Sequence, residues 1–219
     1  MVNKIVKKLP KAAQKMYHTV LSELGDSPSA AWKALEIVEQ SYQPIGGIKN
    51  SIPLDNQNAT MSSDGTYIDV LMGYPSVSHD GLFFDDSFWK NAPQTPLKGD
   101  MEHLYSRRAD GEYIDDSEDY EGWVPVSEKY WTADTDRGTE LWARVALPEH
   151  HPYTQTFKQR WENGEIGASI EVPAPNDDAI EYKWIDGQLR PALIDGQITG
   201  FSFTDRPSID TKTQRNGNG

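Results

Sequence analysis

The sequence predicts an α+β protein that is mainly β: an antiparallel, barrel-like β-domain with a few flanking helices, preceded by a small helical hairpin. Three observations lead there. Apolar residues recur at helical spacing over the first forty positions, and from Tyr67 onward they gather instead into short segments separated by turn residues. Only one later stretch reads as helix.

In the hairpin, Leu9, Ala13, Met16, Val20 and Leu24 lie at helical spacing behind Pro10, and Gly25 is placed as a C-cap. A second helix begins at Ser27-Pro28, with Ser27 as N-cap. It carries Trp32, Leu35, Val38 and Tyr42 until Pro44 and Gly46-Gly47 stop it. These features divide the chain into a basic hairpin over 1–45, a linker over 46–65, a β-domain over 66–210 and a polar tail over 211–219. The tail ends in Asn-Gly-Asn-Gly and is expected to be disordered.

The β-domain offers seven strands: Tyr67 to Met72, Leu82 to Phe84, Gly122 to Val126, Glu140 to Leu147, Gly167 to Val172, Ala179 to Trp184 and Gln197 to Thr204. Asp64-Gly65, Asp186-Gly187 and Asp195-Gly196 mark turns between them. The helical exception runs from Tyr153 to about Asn163, with Phe157 and Trp161 one turn apart and Gly164 as its stop.

Composition narrows the chemistry. The chain of 219 residues has 34 acidic and 21 basic residues, a formal charge of −13 and no cysteine. Without cysteine there is no disulfide framework, thiolate metal site or cysteine nucleophile, so covalent catalysis must use Ser, Thr, Lys or a carboxylate. The acidic balance argues against nucleic acid as the main partner, since phosphate affinity comes from clustered Lys and Arg. The charge is unevenly spread: residues 1–50 hold seven lysines and four acids, leaving 14 basic and 30 acidic residues in 51–219. No apolar run approaches the ~20 residues that span a bilayer, and no secretory h-region opens the chain, so a soluble, unexported protein is expected.

The five histidines are His18, His79, His103, His150 and His151, and they form no pattern that converges on a metal. His103 stands in Gly99-Asp100-Met101-Glu102-His103-Leu104, before a stretch over 110–121 with seven acids and no base. Ser169 interrupts an otherwise apolar strand, and Asp80-Gly81 marks a turn. Together Ser169, His103 and Asp80 are the residue types of a nucleophile, its base and the acid that orients the base. Spacing alone does not single them out, since any chain of this size contains many such triples; read by themselves they are a strand hydroxyl, a half-buried polar residue and a turn former.

Four segments in order resemble the phage capsid-scaffolding and prohead-maturation serine proteases, a family similar in fold to the herpesvirus assemblins. They are His79-Asp80-Gly81, Met101-Glu102-His103-Leu104, Ala168-Ser169-Ile170-Glu171-Val172, and Ile198-Thr199-Gly200-Phe201-Ser202-Phe203-Thr204-Asp205-Arg206-Pro207-Ser208. The resemblance covers about residues 66–210 and implies an assemblin-like barrel. It also implies Ser169 as nucleophile, His103 as general base and Asp80 as orienting acid, with His79, Asp100 and Glu102 as alternatives for the third role. Arg206 is its candidate oxyanion or substrate contact, against a plain reading as a surface residue.

The implied activity is an endopeptidase acting on scaffold and major capsid protein inside assembling proheads in the host cytoplasm, self-associating as a dimer and needing no cofactor or metal. The alternative is an assemblin-like internal capsid or scaffold protein without activity. In the hairpin, Leu9-Pro10-x-x-Ala13-Gln14-x-x-Tyr17 with Ala31-Trp32 resembles the ChaB-type helical module over about residues 7–43; a generic basic hairpin is the other reading. Its positive charge suits the acidic β-domain, capsid protein or nucleic acid, and the sequence does not choose among them.

Overall fold

The computed structural model describes residues 2–54, 57–78, 80–91, 95–104, 120 and 122–204, apart from the side chains of Lys49, Ser51 and Pro53. Helix α1 (Val2–Val6) leads into α2 (Lys11–Leu24) and α3 (Pro28–Ser41). Pro10 caps α2 with extended backbone. At its other end Gly25 takes φ 87° and donates its N–H to Leu21 O, a left-handed cap that glycine adopts without strain. Ser27 Oγ accepts the Ala30 N–H at 3.1 Å, and Pro28 opens α3 at a position whose N–H has no helical partner. The small residues Ala12, Ala13, Ala30 and Ala34 are buried and let α2 and α3 approach closely.

The hairpin docks on the chain's own β-domain. Lys15 Nζ donates to Asp177 O and Asp178 O, each at 3.1 Å, and to Ile180 O at 2.7 Å. Thr19 Oγ1 donates to Tyr182 O at 3.2 Å, while Met16, Tyr17 and Val20 join the main hydrophobic core. A lysine ammonium set against three carbonyl oxygens satisfies all its donors, and that contact gives the basic hairpin a fixed seat.

Eight strands form one curled sheet, a half-barrel: β1 (Ile48–Pro53), β2 (Ala59–Met61), β3 (Tyr67–Gly73), β6 (Leu97–Met101), β7 (Val126–Thr135), β8 (Gly138–Ala146), β9 (Gly167–Val172) and β12 (Gly200–Thr204). Their spatial order is β1-β9-β12-β6-β7-β8-β3-β2, and the curl brings β3 into contact with β1 and β9. A second sheet has the order β10-β11-β5-β4, from β10 (Ile180–Ile185), β11 (Gln188–Leu193), β5 (Phe83–Phe84) and β4 (Ser76–Val77). Helix α4 (Asp86–Trp89) follows β5, α5 (Tyr153–Glu162) precedes β9, and a 3-10 turn (Asp177–Ala179) precedes β10.

The α+β, mainly β class and the helical hairpin agree with the sequence expectation; several details differ for identifiable reasons. The expected linker over 46–65 contains β1 and β2, whose residues Ile-Lys-Asn-Ser-Ile-Pro and Ala-Thr-Met are too polar or too short to signal strands. β7 carries no apolar alternation past Val126: Glu128 and Lys129 sit together at a register shift, and Thr132, Asp134 and Thr135 are also exposed, so the segment gives no strand signal. In β6, Gly99 and Asp100 hide the strand. A Cβ at Gly99 would lie 2.4 Å from Phe201 Cζ, so packing demands glycine there. The sheets are not wholly antiparallel: β12 pairs with β6, and β11 with β5, in parallel.

The aromatic core gathers around α4 and α5. Trp89 stacks on Phe84 and meets Phe88 edge-on, and Phe157 packs against Trp123 and Phe203 at centroid distances of 4.9 and 4.7 Å. His79, Arg206, the tail over 211–219 and all of the acidic run over 110–121 except Tyr120 lie outside the described residues.

Candidate active site

Strand alternation builds the site. Ala168, Ile170 and Val172 on β9 and Phe201 and Phe203 on β12 belong to the hydrophobic core, so Ser169, Glu171 and Ser202 stand on the opposite face. Register then aligns them: Ser169 is the cross-strand partner of Ser202, and Ser202 is the partner of Asp100 on β6. Polar groups from three adjacent strands thus share one row.

His103 reaches that row by a strained turn. Immediately after β6, Glu102 and His103 take φ values of 53° and 56°, the left-handed region that costs non-glycine residues about 1–3 kcal/mol each. Two bonds hold the turn: the Glu102 N–H donates to Phe203 O at 2.8 Å, and Thr204 Oγ1 donates to Glu102 Oε2 at 3.0 Å. The imidazole then sits with Nε2 2.7 Å from Ser169 Oγ. On its other side, Nδ1 lies 2.6 Å from Glu171 Oε1 and 3.1 Å from Ser202 Oγ. The Ser202 hydroxyl in turn donates to Asp100 Oδ1.

These contacts suit one arrangement of protons. With Glu171 ionised and the imidazole neutral, the carboxylate only accepts, so Nδ1 carries the hydrogen that faces Glu171 and the Nε2 lone pair accepts the Ser169 hydroxyl. This is the protonation pattern in which a histidine can act as a base toward a serine. Ser169, His103, Ser202 and Asp100 are all buried, whereas the Glu171 side chain is 28% exposed. Low local dielectric strengthens each of these bonds.

Of the residues named from sequence, the fold brings Ser169 and His103 together but does not bring Asp80 to them. Asp80 is exposed on the turn closed by the Gly81 N–H to Ser78 O bond, where it shares a cavity wall with Gln43, Pro44 and Leu82. Glu171 and Ser202 occupy the Nδ1 side instead. Asp100, an alternative for the third role, arrives through Ser202, and Glu102 is spent on its own turn. Arg206 and His79 lie outside the described residues. Glu171 went unrecognised, although its spacing of two from Ser169 on a strand puts both side chains on one face. Ser202 carried a similar signal, as a lone hydroxyl between Phe201 and Phe203.

No family model, curated protein or solved structure matches this chain. Among the described residues, no group of three or more His, Asp or Glu is arranged to hold a metal ion, and no helix is long and apolar enough to cross a membrane.

Proposed function

We propose that this chain is a serine endopeptidase of the prohead-maturation type, with the curled sheet as an assemblin-like barrel and the hairpin as a ChaB-like module. The observation that carries the reading is the 2.7 Å contact between His103 Nε2 and Ser169 Oγ, made by two buried residues that lie 66 positions apart. In the mechanism, Ser169 Oγ attacks the scissile carbonyl while its proton passes to Nε2. Glu171 faces Nδ1 and stabilises the imidazolium. Nε2 returns the proton to the leaving amine, and water, deprotonated by the same nitrogen, then hydrolyses the acyl-enzyme and restores Ser169. The four motifs in family order direct the choice of substrate toward scaffold and major capsid protein within assembling proheads.

The test is co-expression of wild-type and Ser169→Ala chains with the cognate scaffold and major capsid protein, read by mass spectrometry of the products. Cleavage that depends on Ser169 supports the assignment, and identical products from both chains overturn it. A second reading, an inactive scaffold or internal capsid protein, is favoured by the burial of Ser169, which is 1% exposed. In that case Ser169 only ties β9 to the turn after β6. Wild-type protein in assembled proheads would leave a fluorophosphonate unreacted, and Ser169→Ala would lose stability with no loss of cleavage.

A further inference from the structure

Two acids address one ring nitrogen, and they do so differently. Glu171 meets His103 Nδ1 directly, whereas Asp100 reaches it through the Ser202 hydroxyl. A hydroxyl has one proton and two lone pairs. With its proton given to Asp100, Ser202 turns a lone pair toward Nδ1, which is compatible with a hydrogen on that nitrogen. If the acceptor at position 100 is removed, the same proton is free to rotate toward Nδ1, 3.1 Å away. There it competes with Glu171 Oε1, 2.6 Å from the same nitrogen: where Ser202 donates, Nδ1 is the acceptor and the ring hydrogen moves to Nε2, aimed at Ser169 Oγ. In that tautomer the imidazole cannot take the serine proton.

We infer that Asp100 is a positioning residue: it holds the Ser202 proton away from His103 Nδ1, so that Glu171 meets the hydrogen on that nitrogen without a competing donor and Nε2 stays able to act as base. This rests on the reading of Ser169 as nucleophile and His103 as base. Asp100 touches neither the imidazole nor Ser169 in this arrangement and acts through Ser202. Its burial on β6 and its register with Ser202 keep it in place. The buried partner is the one whose effect low dielectric magnifies.

The sign of the double mutant separates this role from simple support. Asp100→Ala frees the Ser202 proton, while Asp100→Ala combined with Ser202→Ala removes that proton altogether and leaves Nδ1 facing Glu171. The experiment measures two things on the full chain: the His103 tautomer from imidazole nitrogen-15 shifts, assigned by the signal lost in His103→Gln, and the rate at which a fluorophosphonate labels Ser169. Asp100→Ala is expected to shift His103 toward the Nε2–H tautomer and slow labelling by about tenfold or more. The double variant is expected to return to the Nδ1–H tautomer and label at least about tenfold faster than Asp100→Ala. Asp100→Asn keeps an acceptor oxygen for Ser202 and should keep the Nδ1–H tautomer.

If Asp100→Ala does not fold, Asp100→Leu, nearly the same shape as Asn, replaces it in both arms. An Asp100 variant that keeps the Nδ1–H tautomer, or a double variant no faster than the single, overturns the inference. A wild-type chain that shows the expected tautomers yet is never labelled at Ser169 would instead overturn the proposed function, so the two failures are distinguishable.

Discussion

Glu171 stands two residues beyond Ser169 on the same strand face, and its Oε1 lies 2.6 Å from Nδ1 of the imidazole whose Nε2 meets Ser169 Oγ at 2.7 Å. One strand therefore supplies both ends of the hydrogen-bonded row, and the histidine is inserted between them from the turn after β6. The pleat places residues i and i+2 on one face about 6–7 Å apart, which an imidazole can bridge.

Glu171→Gln keeps the shape of the side chain but removes the charge that stabilises the imidazolium, and its amide can donate to Nδ1 and favour the opposite tautomer. Fluorophosphonate labelling of Ser169 is expected to slow by roughly 100-fold to 10,000-fold, with little change in melting temperature. Asp80→Asn, on its exposed turn, should label within about twofold of wild type. The reverse ranking of these two variants would return the orienting role to Asp80.

The hairpin's seat depends on Lys15 more than on the more visible ion pair. Lys15→Met keeps the aliphatic stem but leaves the Asp177, Asp178 and Ile180 carbonyls without that donor, a loss of about 2 kcal/mol. For a chain of this size the melting temperature should fall by roughly 4–8 °C. The Lys11–Asp178 pair is 67% and 70% exposed, and Lys11→Ala should cost no more than about 0.5 kcal/mol. Calorimetry that found the two variants equal would sink this account of docking.

Gly73 ends β3 beneath the Trp89 indole, and a Cβ there would fall 1.8 Å from Cη2 of that ring. The indole is fully buried against Phe84 and Phe88, so it has no space to retreat. Gly73→Ala is expected to destabilise the fold by about 3 kcal/mol, read from urea unfolding. A loss below about 1 kcal/mol would mean that the Trp89 pocket yields more easily than its packing implies.

Tyr182 sets a limit on alkaline stability. Burial, reinforced by the negative charges of ionised Tyr42 and Asp177, pushes its phenol up to about 12, so the folded state favours the neutral form. The stability this contributes is complete below the unfolded value near 10 and is lost as pH rises through 12. Lys183 acts in the same sense: burial opposes its charge, but its bond to Asp85 outweighs that and raises it. Melting temperatures between pH 10 and 12 should fall less steeply in Tyr182→Phe than in wild type. Equal slopes would show that the phenol titrates alike in the folded and unfolded chains.

The helical hairpin was legible because its caps and apolar spacing are local: Ser27, Pro28 and Gly25 act on their own neighbours, so the sequence is enough to place them. The strands with continuous apolar or alternating runs, such as Tyr67–Gly73 and Gly167–Val172, were legible for the same reason. By itself the sequence determined the mainly β class, the basic hairpin and the candidacy of Ser169 and His103. It did not determine the strands whose residues serve something other than the core. In β6, Gly99 answers to the Phe201 ring and Asp100 to Ser202, and both needs arise only across strand partners far away in the chain. The third member of the row was beyond reach for a related reason. Which carboxylate meets Nδ1 depends on what the pleat and the strained Glu102-His103 turn bring there, and that is a property of cross-strand register. Only the tertiary structure set Glu171 beside the imidazole and left Asp80 on its exposed turn.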